Sequence, residues 1–346
     1  MSQNLSNDSL SSRRQFIAGT TLAFGGFYLS TSKTRAAAPS IVGHGDFRYE
    51  VVKGWGNLDP AAVPVANCHE MVEDSKGRLI LFQTDTKNNI VIYDKSGKLL
   101  ETWGTTYKGA HGLDIVNENG EDFLFLTDTK LGKVFKTKMD GKVVMELGRP
   151  DIPQYADPKA PFRPTNVMTA PDGSFYVGDG YGSSWVMQYD QKGKLQNVFG
   201  GKGTSDESLN TPHGGIVDTR NPERPCLMIC SRSDNALKRF TLSGIHLQTI
   251  PIPGMRVCQL AMRENYMVAP HLEGLISVID SENKVVSNPG GSKPVEDADG
   301  NLEKPGKEGS SPFTHPHGVW VDAEHSVYIP QWNSGKTYPI KLKRVG

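Results

Sequence analysis

Four of the nine histidines in this 346-residue chain occupy one recurring place. A short segment repeats, opening as Cys68-His69-Glu70, Ala110-His111-Gly112, Pro164-Thr165-Asn166, Pro212-His213-Gly214, Val257-Cys258-Gln259 and Pro316-His317-Gly318. Its second residue is therefore His69, His111, Thr165, His213, Cys258 and His317 in turn. Random placement would fill four of six such positions with histidine at odds on the order of one in a hundred thousand. Three of the four, His111, His213 and His317, fall on alternate repeats. If the repeats close into a ring of six, these three stand about 120° apart. Imidazoles converging at that angle form one face of a tetrahedral site, each nitrogen about 2.0 to 2.1 Å from a zinc ion, with the fourth position open for water or substrate. The competing reading is a wet channel in which the imidazoles bond to water and backbone. His69 and Cys258 admit three roles: a further ligand, a partner that orients a ligand, or channel lining. His315, two residues before His317, and His271, at the end of a second strand, are candidates for the same mouth, whereas His44, His246 and His325 fall on turns or outer segments.

The elements that must position these residues are short strands. The repeat period of about 40 to 50 residues, with Asp/Gly turns between strands, is that of a propeller blade. Second strands such as Leu79-Ile80-Leu81-Phe82, Phe123-Leu124-Phe125-Leu126 and Cys226-Leu227-Met228-Ile229 are near-continuous apolar runs, as expected for strands buried on both faces between blades. The sixth repeat runs out of chain at Gly346, and an orphan strand of the outer type, Tyr49 to Gly56, stands at the front. The expected fold is all-β, a six-bladed propeller over residues 39–346 whose last blade is completed by Phe47 to Gly56, so that no sheet edge is left open. Asn288 to Phe313, rich in Gly, Pro, Glu and Lys, reads as a long polar loop inserted in it.

Composition narrows the function. With 38 Lys plus Arg against 38 Asp plus Glu the chain is electroneutral, which excludes a nucleic-acid clamp driven by bulk positive charge. The four cysteines, Cys68, Cys226, Cys230 and Cys258, make no CxxC pair and no disulfide framework. At the front, Ser12-Arg13-Arg14-Gln15-Phe16-Ile17 opens onto a weakly hydrophobic run to Leu29 that closes at Ala36-Ala37-Ala38. Residues 1–38 are expected to be a twin-arginine signal peptide, read by the twin-arginine export machinery and delivering a folded protein to the periplasm or the exterior. The run is too short and polar for a stable membrane span, which needs about 20 apolar residues; an uncleaved anchor is the alternative.

Taken together, these motifs resemble the six-bladed NHL-type propellers, and specifically the lyase domain that cleaves peptidyl-α-hydroxyglycine to a peptide amide and glyoxylate. The resemblance spans roughly residues 60–340 and rests on His-Gly-Leu at His111, Pro-His at His213 and at His317, Asp179-Gly180-Tyr181 and Ser231-Arg232-Ser233. It implies zinc held by His111, His213 and His317. It also implies a catalytic tyrosine at Tyr181, its pKa lowered by Arg232 and the metal, and substrate binding by Arg232. Packing in a blade loop is the other role open to Tyr181, and a salt bridge to Asp234 the other role open to Arg232. Where the family has a second active-site arginine this chain has Thr84, which cannot grip a carboxylate through a bidentate fork. Gly318 stands where the family has a calcium-ligating Asp, so calcium does not carry over. His69 replaces an uncharged residue and His315 a methionine. The substrate implied is a small α-hydroxy or peptide-derived molecule. Two further classes compete. One is a non-catalytic NHL-type scaffold for a protein or glycan. The other is a lactonase-like propeller, whose calcium needs carboxylates at inner positions that here offer only Glu70.

Overall fold

The computed structural model describes residues 40–345. The expected twin-arginine signal, residues 1–38, lies outside them. No helix among the described residues is long and apolar enough to cross a membrane.

Strand formation follows from turn chemistry and from apolar pattern. Asp carboxylates close the turns between strands: Asp74 Oδ1 accepts the amides of Lys76 and Arg78, and Asp94, Asp190, Asp280 and Asp322 repeat the pattern. The strands so separated form six antiparallel sheets, five of four strands and one of five. Blade one, for example, comprises Cys68–Glu73, Leu79–Gln83, Ile90–Tyr93 and Leu99–Trp103, hydrogen-bonded in chain order. The chain is thus the expected all-β, six-bladed propeller.

Burial explains the unbroken apolar runs. Ile80 and Phe82 pack with Leu113, Leu124 and Leu126 of blade two, whereas Leu79 and Leu81 pack with Tyr328 of blade six. Each adjacent pair of blades shares one such cluster, so both faces of every sheet are covered and neither can carry a polar stripe.

The last blade joins both ends of the described chain. Its order runs Ile41–His44, Phe47–Val52, Ile340–Arg344, Val327–Ile329, Trp320–Val321 from rim to axis. Tyr49 pairs with Arg344 and Val52 with Lys341, as the ring closure requires. The pairing stops at Val52, short of the expected Gly56, and the rim strand Ile41–His44 is an addition to the expected blade. Residues 288–313 also depart from a solvated loop. Asn288 to Gly291 are buried, Gly291 and Glu296 pair with Lys307 and Leu302, and Phe313 returns to the core. All four cysteines are buried free thiols.

Candidate metal and catalytic site

The inner strands break their ladders where the repeated motif falls. Pairing shifts register between Cys68 and Glu70, between Ala110 and Leu113 and between Pro212 and Gly215. In blade six an isolated Pro316–Gln331 bridge is followed by regular pairing only from Trp320. A residue freed from the ladder can turn its side chain toward the propeller axis, and the four histidines at these breaks are all buried, His69 at 5% exposure being the most open.

Backbone carbonyls orient three of them. His111 Nδ1 lies 2.8 Å from the carbonyl of Thr165, His213 Nδ1 2.8 Å from that of Cys258, and His317 Nδ1 3.1 Å from that of His69. Each even-numbered blade thus donates to the following odd-numbered one. With the proton on Nδ1, the lone pair of each Nε2 faces the axis. The glycine after each histidine makes this contact possible. A Cβ on Gly112, Gly214 or Gly318 would stand 2.5, 2.2 or 2.3 Å from those same carbonyl oxygens.

The three rings form a near-equilateral triangle. Centroids lie 4.6 Å apart for His111 and His213, 4.9 Å for His111 and His317, and 4.8 Å for His213 and His317. His69 joins from blade one, 4.6 Å from His111 and 4.5 Å from His317, its Nδ1 3.4 Å from His317 Nε2. The tightest set of potential ligand atoms is His69, His111 and His317, all within 4.8 Å of one another. His213 Nε2 meets instead the hydroxyl of Tyr181 at 2.9 Å. Burial holds these imidazoles neutral: His111 is pushed down to about 3, and His69, His213 and His317 well below the usual histidine range, with Arg232 adding to the effect. Neutral nitrogens with inward lone pairs are what a zinc site requires, so this donor set fits the metal.

Tyr181 hangs over the triangle from the loop after strand Phe175–Gly178, and buried Asp179 shapes that loop by accepting the amides of Arg163 and Ser183 and the hydroxyl of Tyr155. Its own hydroxyl lies 3.3 Å from His111 Nε2 and accepts a hydrogen bond from Arg232 Nη1 at 3.0 Å. Arg232 stands on the short 3-10 turn Arg232–Asp234 after the second strand of blade four. Its guanidinium reaches Tyr181 and Cys258 Sγ, at 3.2 Å, whereas Asp234 is bound by Asn210, Ser231 and Lys238. Burial pushes the Tyr181 phenol up, and Arg232 pulls against it. Arg232 lowers it as expected, but among the protein's own groups burial outweighs the guanidinium; the expected lowering counted on the metal as well.

Below the histidines lies a polar floor that the reading of single residues missed. Gln259 Nε2 donates to Asn166 Oδ1 and its Oε1 accepts the amide of Gly215, while Glu70 hydrogen-bonds Gln259 and lies 3.8 Å from His317 Nδ1. The signal was present: the residue after the second motif position alternates Glu70, Gly112, Asn166, Gly214, Gln259, Gly318 around the ring.

Above lies a mouth of about 520 Å³ with His69, His111 and Tyr181 at its base. Its lining holds no carboxylate but does hold the exposed cations Lys108, Lys130 and Arg163, none of which forms an ion pair among the described residues. Sequence reading missed these three, which stand singly on turns (Lys108, Lys130) or in an irregular segment (Arg163). Thr84 lines the mouth and accepts the amide of Asn67. His315 stands behind the rim, bonded to the carbonyl of Asn333 and edge-on to Trp332. His271 is not at the mouth: it is buried within blade five, where its Nε2 meets Ser277 Oγ at 2.9 Å.

No protein-family model matches the chain. A stretch of 115 residues, 31% of the chain, is 34% identical to peptidyl-alpha-hydroxyglycine alpha-amidating lyase 1 of Drosophila melanogaster and covers 20% of that protein. A probable peptidyl-alpha-hydroxyglycine alpha-amidating lyase of Caenorhabditis elegans is 34% identical over 109 residues, 31% of this chain and 30% of that one. The matches therefore span less than a third of either relative's length. Among solved structures, that of streptogramin B lyase superposes with TM-score 0.56 at 14% identity, covering 86% of this chain and 97% of that one, a likeness of fold. The chain is a six-bladed β-propeller that shares, over about a third of its length, sequence similarity with peptidyl-α-hydroxyglycine amidating lyases.

Proposed function

We propose that this propeller is a zinc-dependent lyase acting on a small anionic α-hydroxy substrate, of which an N-acyl α-hydroxyglycine is the model. The observation that carries the reading is the placement of the Tyr181 hydroxyl 2.9 Å from His213, 3.3 Å from His111 and 3.0 Å from Arg232. His111, His213 and His317 would hold the metal, which when bound supplies a Lewis acid for a substrate oxygen. The chain's own groups account for the proton. With Arg232 and a bound cation opposing the burial that raises its pKa, Tyr181 would act as the phenolate that takes the proton of the α-hydroxyl, whose oxygen electrons form the new carbonyl as the C–N bond breaks. As a phenol it returns that proton to the departing nitrogen, so an amide and an α-oxo acid are released with no water consumed. Arg232, which forms no ion pair with a carboxylate among the described residues, also offers a charge-assisted contact to the substrate. Substrate charge is met at the mouth by Lys108, Lys130 and Arg163, since Thr84 cannot form a bidentate fork.

The test is release of α-oxo acid from a panel of N-acyl α-hydroxyglycines and other α-hydroxy acids by the zinc-loaded protein. Tyr181→Phe should keep the metal and lose about 10² to 10⁴ in kcat, as expected for a general acid/base. Turnover unchanged by that substitution would overturn the reading. A purified protein that takes up no stoichiometric zinc would leave a binding scaffold in its place.

A further inference from the structure

The fourth histidine has no place in the triangle, yet it does more than line the mouth. His317 Nδ1 faces the carbonyl of His69, which leaves Nε2 as the inward lone pair of His317. His69 turns its Nδ1 toward that lone pair at 3.4 Å. This is long for a hydrogen bond between neutral rings, where N–H donors typically lie about 2.9 to 3.0 Å from their acceptors. It is the separation of two nitrogens that share one tetrahedral zinc ion, about 3.3 to 3.4 Å for bonds of about 2.0 to 2.1 Å. His69 is also grouped with His111 and His317, one potential ligand atom of each lying within 4.8 Å of the others, and its ring is buried.

We propose that His69 supplies a fourth imidazole nitrogen to the metal, through Nδ1, where the other three use Nε2. The centre is then an all-nitrogen site fed by blades one, two, four and six. The set favours borderline cations such as zinc, copper, nickel or iron over magnesium or calcium. Blade one is adjacent to blades two and six, so His69 closes the side of the triangle opposite Tyr181 and His213. Substrate enters on the Tyr181 side, either as a fifth ligand or in place of His69. The inference rests on the metal of the proposed function but not on its reaction.

The side chain can be removed cleanly, because residue 69 orients His317 through its backbone carbonyl. The full chain, stripped of metal and titrated with cobalt(II) as a spectroscopic probe, should bind one equivalent. His69→Ala should weaken cobalt affinity at least as much as loss of an outer hydrogen-bond partner does, about 10- to 100-fold. It should also alter the visible ligand-field band, and free imidazole should restore that band. His69→Gln serves as a second variant, and matching thermal melts of the metal-free proteins would separate ligation from folding. One equivalent bound with affinity and band unchanged in both variants would overturn the fourth ligand while leaving the metal site standing. A wild-type protein that binds no cobalt would overturn the metal reading itself, and this inference with it.

Discussion

Blades two, four and six each present a histidine that the next blade orients, whereas blades one, three and five each present the orienting backbone carbonyl, blade one adding the ring of His69. In the first set the motif is His-Gly at His111, His213 and His317. In the second it is His69-Glu70, Thr165-Asn166 and Cys258-Gln259, the second residue of each pair belonging to the polar floor. The small residue of one set makes room for the carbonyl of the other, and that carbonyl fixes the ring of the first set. A sixfold ring thereby acquires threefold chemistry. Identical places in a repeat are free to take different jobs when the jobs alternate.

Five substitutions would break or sharpen this contrast. The largest effect is expected at Gly214→Ala and Gly318→Ala, where the added methyl would stand 2.2 and 2.3 Å from a carbonyl oxygen. Overpacking of this kind costs about 1 to 3 kcal/mol or more, and the displaced carbonyl should release the histidine and lower metal affinity. Gly309→Ala, with nothing within 4 Å, is the control and should change urea stability by less than about 0.5 kcal/mol. Equal stability of all three variants would mean that the His-Gly pairing has no steric basis.

A smaller effect is expected on the carbonyl side. Thr165 Oγ1 donates to the carbonyl of Pro212 at 3.0 Å and accepts the amide of Gly180 at 3.2 Å, next to Tyr181. Thr165→Val should cost about 1 kcal/mol. It should reduce turnover by loosening the Tyr181 loop and leave metal content unchanged, because His111 is held by the main chain of residue 165. Loss of metal in this variant would show that the side chain, not the carbonyl, is the orienting group. The smallest effect is expected at His315→Ala, two residues from His317 but outside the interrupted stretch. Metal affinity should be the same as wild type, and unfolding free energy should shift by no more than about 0.5 kcal/mol.

Sequence periodicity was enough for the blade count, the inter-blade burial and the ring closure, because each leaves a repeated mark. The rim strand Ile41–His44 leaves none: its four residues include Gly43 at φ 94°, and a hairpin so short reads as a turn. Residues 288–291 read as solvated because Asn, Pro and Gly carry no apolar signal, and their burial is supplied by Ser277 and Phe313 from other segments. The histidine positions were legible from spacing, but the carbonyl acceptors were not, since a backbone oxygen has no letter in a sequence. His271 shows the converse error. A histidine closing an apolar strand looks like a mouth residue until its partner, Ser277 on the next strand, is seen. The balance at the Tyr181 phenol was legible only in part: proximity to Arg232 can be guessed from a motif, whereas desolvation depends on the whole fold.

The closure of the last blade also has a bearing on time. Arg344 Nε donates to the carbonyl of Asp46, which precedes it by 298 positions. A ribosome adding about 5 to 20 residues per second needs roughly 15 to 60 seconds to cover that distance. For that interval strand Phe47–Val52 is made but has no blade to join, while the five earlier blades can already pair within themselves. His317 belongs to the same blade, so the histidine triangle is incomplete until that blade has been made. Under the proposed function, capture of a cation by the full set has to wait for that blade, and ions met earlier encounter only a partial set of nitrogens.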